Sequence, residues 1–139
     1  MRVLALLIIG FVIGLVLSAS GCIEEGTFLN VVRTQEHPRE ESFFARASWY
    51  GIPYHGRTMA NGRTFNMYDP QTVAHKTLPF GTRLLLTNLA NGRQITAIVR
   101  DRGPFIEGRA LDLSMAGAEK LGFKQEGLTL LKAVVIAKP

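Results

Sequence analysis

Asp101 is the residue with the most chemical promise. It follows the segment 94–100, in which Ile95, Ala97 and Val99 alternate onto one face, and it precedes Gly103-Pro104. Sites are often built where a strand leaves the sheet for a loop. A carboxyl group held there can give up a proton as an acid and take one back as a base. The commoner use of such a group is an ion pair, here with Arg100 or Arg102. Asp112, in Leu111-Asp112-Leu113-Ser114, is a second carboxylate. It stands beside a helix start, where Asp and Ser bind free backbone N–H groups. His75 offers an imidazole, although a lone His more often serves structure. Trp49, Tyr50 and Tyr54 offer flat rings suited to the C–H faces of pyranoses, with Trp49 expected in the core because large aromatics usually bury. His37, His55 and His75 are scattered without ligand spacing, and one Cys cannot build a structural zinc site. No metal or other cofactor is expected.

These side chains need short strands to position them. Segments 43–50, 82–88, 94–100, 111–113 and 128–137 have strand character, and Asn91-Gly92 is a strong hairpin signal. Asn61-Gly62 marks another turn. Ser114 can N-cap a helix over 115–121 that Gly122 ends. Many short strands with one short helix point to a small closed barrel. A chain of 139 residues, 47% hydrophobic and 19% charged, has room for one such domain and is not disordered.

The N-terminus reads as an address. Met1-Arg2 leads into residues 3–17, which carry no charge. That run is shorter than the roughly 20 residues of a spanning helix and suits the core of a secretory signal. Ser18-Ala19-Ser20-Gly21-Cys22 then resembles the lipobox of bacterial lipoproteins, with Ala19 where the usual residue is Leu. The resemblance implies cleavage before a lipid-modified Cys22 and attachment to a membrane through its acyl chains. A plain secretory signal or signal anchor, with Cys22 incidental, is the other reading. The expected organisation is a lipoprotein signal peptide over 1–21, a lipid-anchored tether over 22–41 and a folded domain over 42–139. The tether holds Glu24, Glu25, Glu36, Glu40 and Glu41, so residues 42–139 keep thirteen basic and six acidic side chains, a net +7. Such a surface suits a polyanionic partner or simple solubility. An exported domain is not expected to meet nucleic acid.

Four stretches together resemble one family. They are Ala47-Ser48-Trp49-Tyr50-Gly51, residues 74–82 (AHKTLPFGT), Asp101-Arg102-Gly103-Pro104-Phe105, and Gly108-Arg109 with Leu111-Asp112-Leu113-Ser114. In this order they closely resemble the rare lipoprotein A (RlpA) family. The resemblance implies a mainly β fold, a six-stranded double-psi β-barrel like barwin and expansins, with one or two short helices. It also implies an endolytic lytic transglycosylase that cuts the MurNAc–GlcNAc bond of peptide-stripped glycan strands in peptidoglycan and leaves a 1,6-anhydro ring. Asp101 and His75 would be its catalytic residues. Tyr50, Asn61, Arg63, Arg102 and Asp112 would contact substrate, with Asp112 serving structure more than catalysis. One departure stands out: the family usually places Glu after Ala-Asn-Gly and Asp three residues later, where this chain has Arg63 and Asn66. A guanidinium facing the groove would favour an ionised carboxyl and weaken acid catalysis; pointing to solvent, it would leave the role to another group. The alternative function is therefore a non-catalytic peptidoglycan-binding or expansin-like wall-loosening lipoprotein. Either would be a monomer in the cell envelope, facing the wall, with division or other envelope proteins open as partners.

Overall fold

A computed structural model describes residues 40–139. The signal peptide, Cys22 and nearly all of the tether lie outside the described residues. Among the described residues there are six strands and one helix. The strands are β1 (Ser42–Tyr50), β2 (Thr72–His75), β3 (Arg83–Asn88), β4 (Gln94–Asp101), β5 (Leu111–Ser114) and β6 (Thr129–Ala137), and α1 (Met115–Leu121) joins β5 to β6.

The strands close into a barrel in the order β1-β5-β2-β4-β3-β6, with β6 returning to β1. The β1–β5 and β2–β4 pairs are parallel and the other four are antiparallel. Alternation decides what goes inside. Ala45 and Ala47 of β1, Leu84 and Leu86 of β3, Ala97 and Val99 of β4, and Leu111 and Leu113 of β5 are all buried. Ala118 and Leu121 of α1 and the following Phe123 add to this core.

Helix α1 forms where the sequence signals place it. The Ser114 hydroxyl accepts the Gly117 N–H at 3.1 Å and donates to the Asp69 carbonyl at 2.6 Å. Gly122 ends the helix at φ 74°, a conformation that L side chains avoid, and a Cβ there would stand 2.8 Å from Asn91 Nδ2. Strand β2 carries no run long enough to announce itself in the sequence; it forms because β4 and β5 both pair with it.

A second, smaller cluster lies under the loop between β1 and β2. Met59, Phe65 and Met67 are buried there against Tyr50 and Met115. The loop doubles back through a Thr58–Thr64 bridge, which presents residues 59–63 as a tight tip.

Candidate active site

The outer surface of the barrel across β4, β2, β5 and β1 carries the groups of interest. Ala74 on β2 is paired with Asp101 of β4 on one side and with Asp112 of β5 on the other. Asp112 is paired in turn with Ser48 of β1. Neighbouring strands lie about 4.8 Å apart, which sets the backbones of the two aspartates roughly 10 Å from each other. The small Ala74 side chain leaves the space between them open.

Asp101 reaches this face through an irregularity in β4. Strict alternation from Ala97 and Val99 turns Asp101 toward the barrel interior. Between Val73 and Ala74, however, the register shifts, so that Val73 pairs with Val99 and Ala74 with Asp101. The extra residue is Arg100. A bulge of this kind re-aims the side chain that follows it, and both Arg100 and Asp101 leave the core.

The groove so formed has a volume of about 460 Å³. It is lined by Trp49, Tyr50 and Tyr54, by residues 102–106 and Arg109, and by Ala74, Asp101 and Asp112. Its rim is apolar, with Phe105 82% exposed and Tyr54 51% exposed. A larger cleft of about 530 Å³ lies among residues 69–71, residues 94–96 and Lys120. Its only carboxylate, Asp69, is already bound by Arg100 and Thr72, so it offers no free acid.

Asp101 is held without an ion pair. Its Oδ1 accepts the backbone N–H groups of Ala60 and Arg102, each at 2.9 Å, and its Oδ2 accepts the Tyr50 hydroxyl at 3.3 Å. The neighbouring guanidinium groups are occupied elsewhere. Arg100 binds Asp69 and the Thr72 hydroxyl. Arg102 donates to the carbonyls of Leu78 at 3.0 Å and His75 at 3.3 Å and lies 3.7 Å from the Phe80 ring centroid. The ion-pair use of Asp101 suggested by its sequence neighbours does not form.

Tyr50 lines the groove, but one face of its ring is stacked on Phe65 at 4.3 Å and 18°, and Tyr54 meets it edge-on. Burial pushes its phenol far above the ordinary range, and the charge and hydrogen bond of Asp101 add to this. The hydroxyl therefore keeps its proton and can donate it to the carboxylate in a hydrogen bond. Trp49 packs against the core, as expected, while also lining the groove, and its Nε1 donates to the Lys124 carbonyl at 3.1 Å.

Asp112 is a groove residue and not the helix cap, which is Ser114. It accepts the Ser48 hydroxyl and lies 3.5 Å from Arg109 Nη2. Burial pushes its carboxyl upward, against the opposing pull of Ser48 and Arg109.

His75 stands beside the groove and is not among its lining residues. Its Nδ1 accepts the N–H groups of Thr77 at 3.1 Å and Leu78 at 2.9 Å, and its ring meets Phe43 edge-on. Burial lowers its pKa below the ordinary value, with help from Arg102 and Lys76. A neutral ring with an unprotonated Nδ1 fits both facts. His75 connects to the Asp101 carboxyl through Arg102, whose guanidinium holds the 75–78 turn and whose N–H holds the carboxyl.

Arg63 is exposed and outside the lining of the groove. The Asn61 side chain accepts the Arg63 N–H at 3.0 Å and shapes the loop tip. What the tip brings to Asp101 is the Ala60 N–H. Sequence reasoning missed this donor, since a backbone N–H has no residue signature. It also missed Phe105, Ile106 and Arg109 as groove residues. Phe105 and Arg109 fall within the four family-like stretches, which was the available signal. Among the described residues no group of His, Cys, Asp and Glu is arranged to hold a metal ion.

A family model described as lytic transglycolase matches residues 43–132. The chain belongs to this lytic transglycolase family. The resemblance to the RlpA group carried by the four sequence stretches holds. The chain is 48% identical over 86 residues to endolytic peptidoglycan transglycosylase RlpA of Pseudomonas aeruginosa (strain UCBPP-PA14), covering 62% of this chain and 25% of that one. It is 49% identical over 90 residues to the probable endolytic peptidoglycan transglycosylase RlpA of Aquifex aeolicus, covering 65% of this chain and 39% of the relative. With RlpA of Vibrio cholerae the identity is 41% over 104 residues, 75% of this chain and 39% of the relative. The match thus spans between 25% and 39% of these relatives. Among solved structures, Streptomyces papain inhibitor superposes with a TM-score of 0.56 at 22% identity, over 72% of this chain and 98% of that one. Clavibacter michiganensis expansin does so with a TM-score of 0.55 at 23% identity, over 70% and 52%. The family's six-stranded double-psi β-barrel is the fold of this domain, with one short helix where one or two were expected.

Proposed function

We propose that the barrel is an endolytic lytic transglycosylase of peptidoglycan, cutting the MurNAc–GlcNAc bond of peptide-stripped strands with 1,6-anhydroMurNAc formation. The observation that carries this reading is the Asp101 carboxyl, set in an open groove and bound by two N–H groups and a phenol with no cation on it. Both N–H groups fall on Oδ1, which leaves Oδ2 as the oxygen that carries a proton. In the reaction, Oδ2–H gives its proton to the glycosidic oxygen as the C1–O bond breaks and GlcNAc leaves with a free hydroxyl. The Asp101 carboxylate then takes the proton from the muramyl C6 hydroxyl, whose oxygen closes on C1. The acid is restored and no water is consumed. The Tyr50 hydroxyl, able to donate to the carboxylate and to accept from the acid, can follow the proton.

His75 acts one step removed. It orders the 75–78 turn that anchors Arg102, and Arg102 orders Asp101. Asn61 holds the tip that supplies the Ala60 N–H.

One observation favours a second reading, a barrel that binds the wall without cutting it. The loop tip carries Arg63 and no carboxylate. Mass spectrometry of glycan digests decides between them. Wild-type chain that leaves anhydromuramyl ends, with Asp101→Asn leaving none, supports the enzyme. Neither protein leaving such ends, with both retained on sacculi, selects the binder.

The sequence at Cys22 supports a lipid-anchored protein of the cell envelope facing the wall. Labelled palmitate retained by the wild type and lost in Cys22→Ser tests this.

A further inference from the structure

Two arginines line the groove, and they are differently employed. Arg102 has its guanidinium against the Phe80 ring and donates to two carbonyls. The Arg109 side chain has one polar partner among the described residues, Asp112, at a 3.5 Å approach of Nη2. Its Nε is buried with no hydrogen-bond partner. Its side chain nevertheless keeps 23% of its surface open. A guanidinium carries five N–H donors in a fork that matches the two oxygens of a carboxylate. Here the resident carboxylate is met at the limit of contact, and most of the donors are unspent.

We infer that Arg109 is a specificity residue that reads a carboxylate borne by the bound sugar polymer. The inference rests on the transglycosylase reading for the identity of that carboxylate: the 3-O-lactyl group of muramic acid. With its peptide removed this group is an anion able to take the guanidinium in two hydrogen bonds. Joined to a peptide it is a neutral amide and a single acceptor. A neutral β-1,4-glycan has nothing to offer at this point. Burial favours the neutral form of Asp112, which loosens its hold on Arg109 and lessens repulsion toward an incoming anion. The position follows from the fold, since Arg109 stands three residues before Asp112 on the approach to β5, and the Ala110 N–H is fixed on the Arg46 carbonyl at 2.9 Å.

The test measures binding on the full chain carrying Asp101→Asn, which stops turnover. Its probes are peptide-stripped glycan strands, the same strands with their lactyl carboxyls converted to methylamides, and chitohexaose. The expected result is binding about tenfold tighter to the carboxylate strands than to the methylamides or to chitohexaose, with the difference shrinking as salt is added. Adding Arg109→Gln should bring all three probes to the weak level, and Arg109→Lys should restore part of the preference, because Lys keeps the charge but not the fork. Equal binding of carboxylate and methylamide strands by the parent, a comparison that needs no change at Arg109, overturns the inference. So does a preference that survives Arg109→Gln. Cleavage by the wild-type chain separates this from the activity itself. Anhydromuramyl ends formed equally from both kinds of strand sink the role of Arg109 and leave the transglycosylase standing. A binding preference with no such ends sinks the transglycosylase and leaves the role of Arg109 standing.

Discussion

Tyr50→Phe removes one oxygen and leaves the rest of the local packing in place. The ring of Tyr50 is stacked on Phe65 at 4.3 Å and contributes to the cluster of Met59, Phe65 and Met67, and a Phe keeps all of this. What disappears is the 3.3 Å donation to Asp101 Oδ2. A hydrogen bond to a charged group is worth about 1.5–3 kcal/mol, and a long one belongs at or below the low end. A loss of about 1–1.5 kcal/mol in holding the acid corresponds to a fall in turnover of roughly 5- to 13-fold. The assay is the initial rate of anhydromuramyl release from purified glycan strands, followed by mass spectrometry over a range of strand concentrations. The loss should appear in kcat, with KM within about twofold of wild type, because removing this donor disturbs the acid and not the sugar contact. Were Tyr50 a stacking platform for sugar, as its aromatic character in the sequence suggests, Tyr50→Phe would be silent. Unchanged kcat, or a change confined to KM, refutes the positioning role.

Three further outcomes follow from the same geometry. The carboxyl of Asp112 is raised by burial from an ordinary value of 3.8, so its contribution to stability is complete below that value and is lost as pH rises through the folded one. Asp112→Asn should therefore gain in Tm relative to wild type as pH goes from acid to neutral, and a relative loss would reverse the sign. His75 behaves in the opposite sense: its lowered pKa keeps the ring neutral, so stability falls as pH drops through its ordinary 6.5. His75→Ala, which leaves the Thr77 and Leu78 N–H groups without their acceptor, should cost about 1–2 kcal/mol, seen in thermal unfolding as a fall of roughly 5–15 °C. Arg63→Glu should change turnover less than about fivefold, because an exposed side chain outside the groove lining has little hold on Asp101; a tenfold gain would mean that the tip carries this position into the groove when substrate binds.

Much of the barrel is legible in the sequence because strands and turns write themselves in local patterns. Five of the six strands among the described residues show as alternating or apolar runs, and the Ser114 cap and Gly122 stop mark α1. Strand β2 is not legible, for it is four residues long and owes its extension to partners 26 or more residues away in the chain. The site is legible to a different degree at each residue. Asp101 and Tyr50 announce themselves by type and place. Asp112 is read as serving structure more than catalysis because it stands beside the helix start, and the barrel places it in the groove lining while Ser114 alone caps the helix. Arg109 stands in a family-like stretch, but its type gives no role, since a partly exposed arginine on a connecting loop looks like any solubilising charge until its partners are counted.

The most consequential feature is the one that breaks the pattern. Without the bulge at Arg100, Asp101 would follow Val99 by two positions and face the barrel core, where a carboxylate could be kept only with a partner. With the bulge, two consecutive residues turn outward, and their fates divide. Arg100 is drawn down to Asp69 and Thr72, and Asp101 goes to the groove beside Ala74. The same step that exposes the acid thus removes the nearest cation from it. Arg102, the next cation along, is withdrawn by carbonyls of the 75–78 turn and by Phe80, while its own N–H stays on the carboxyl. An aspartate flanked by two arginines in the sequence is therefore free of both in the fold, and the groups that remain on it are neutral donors. That arrangement would let Asp101 change protonation state without breaking an ion pair, as the proposed acid-then-base role requires.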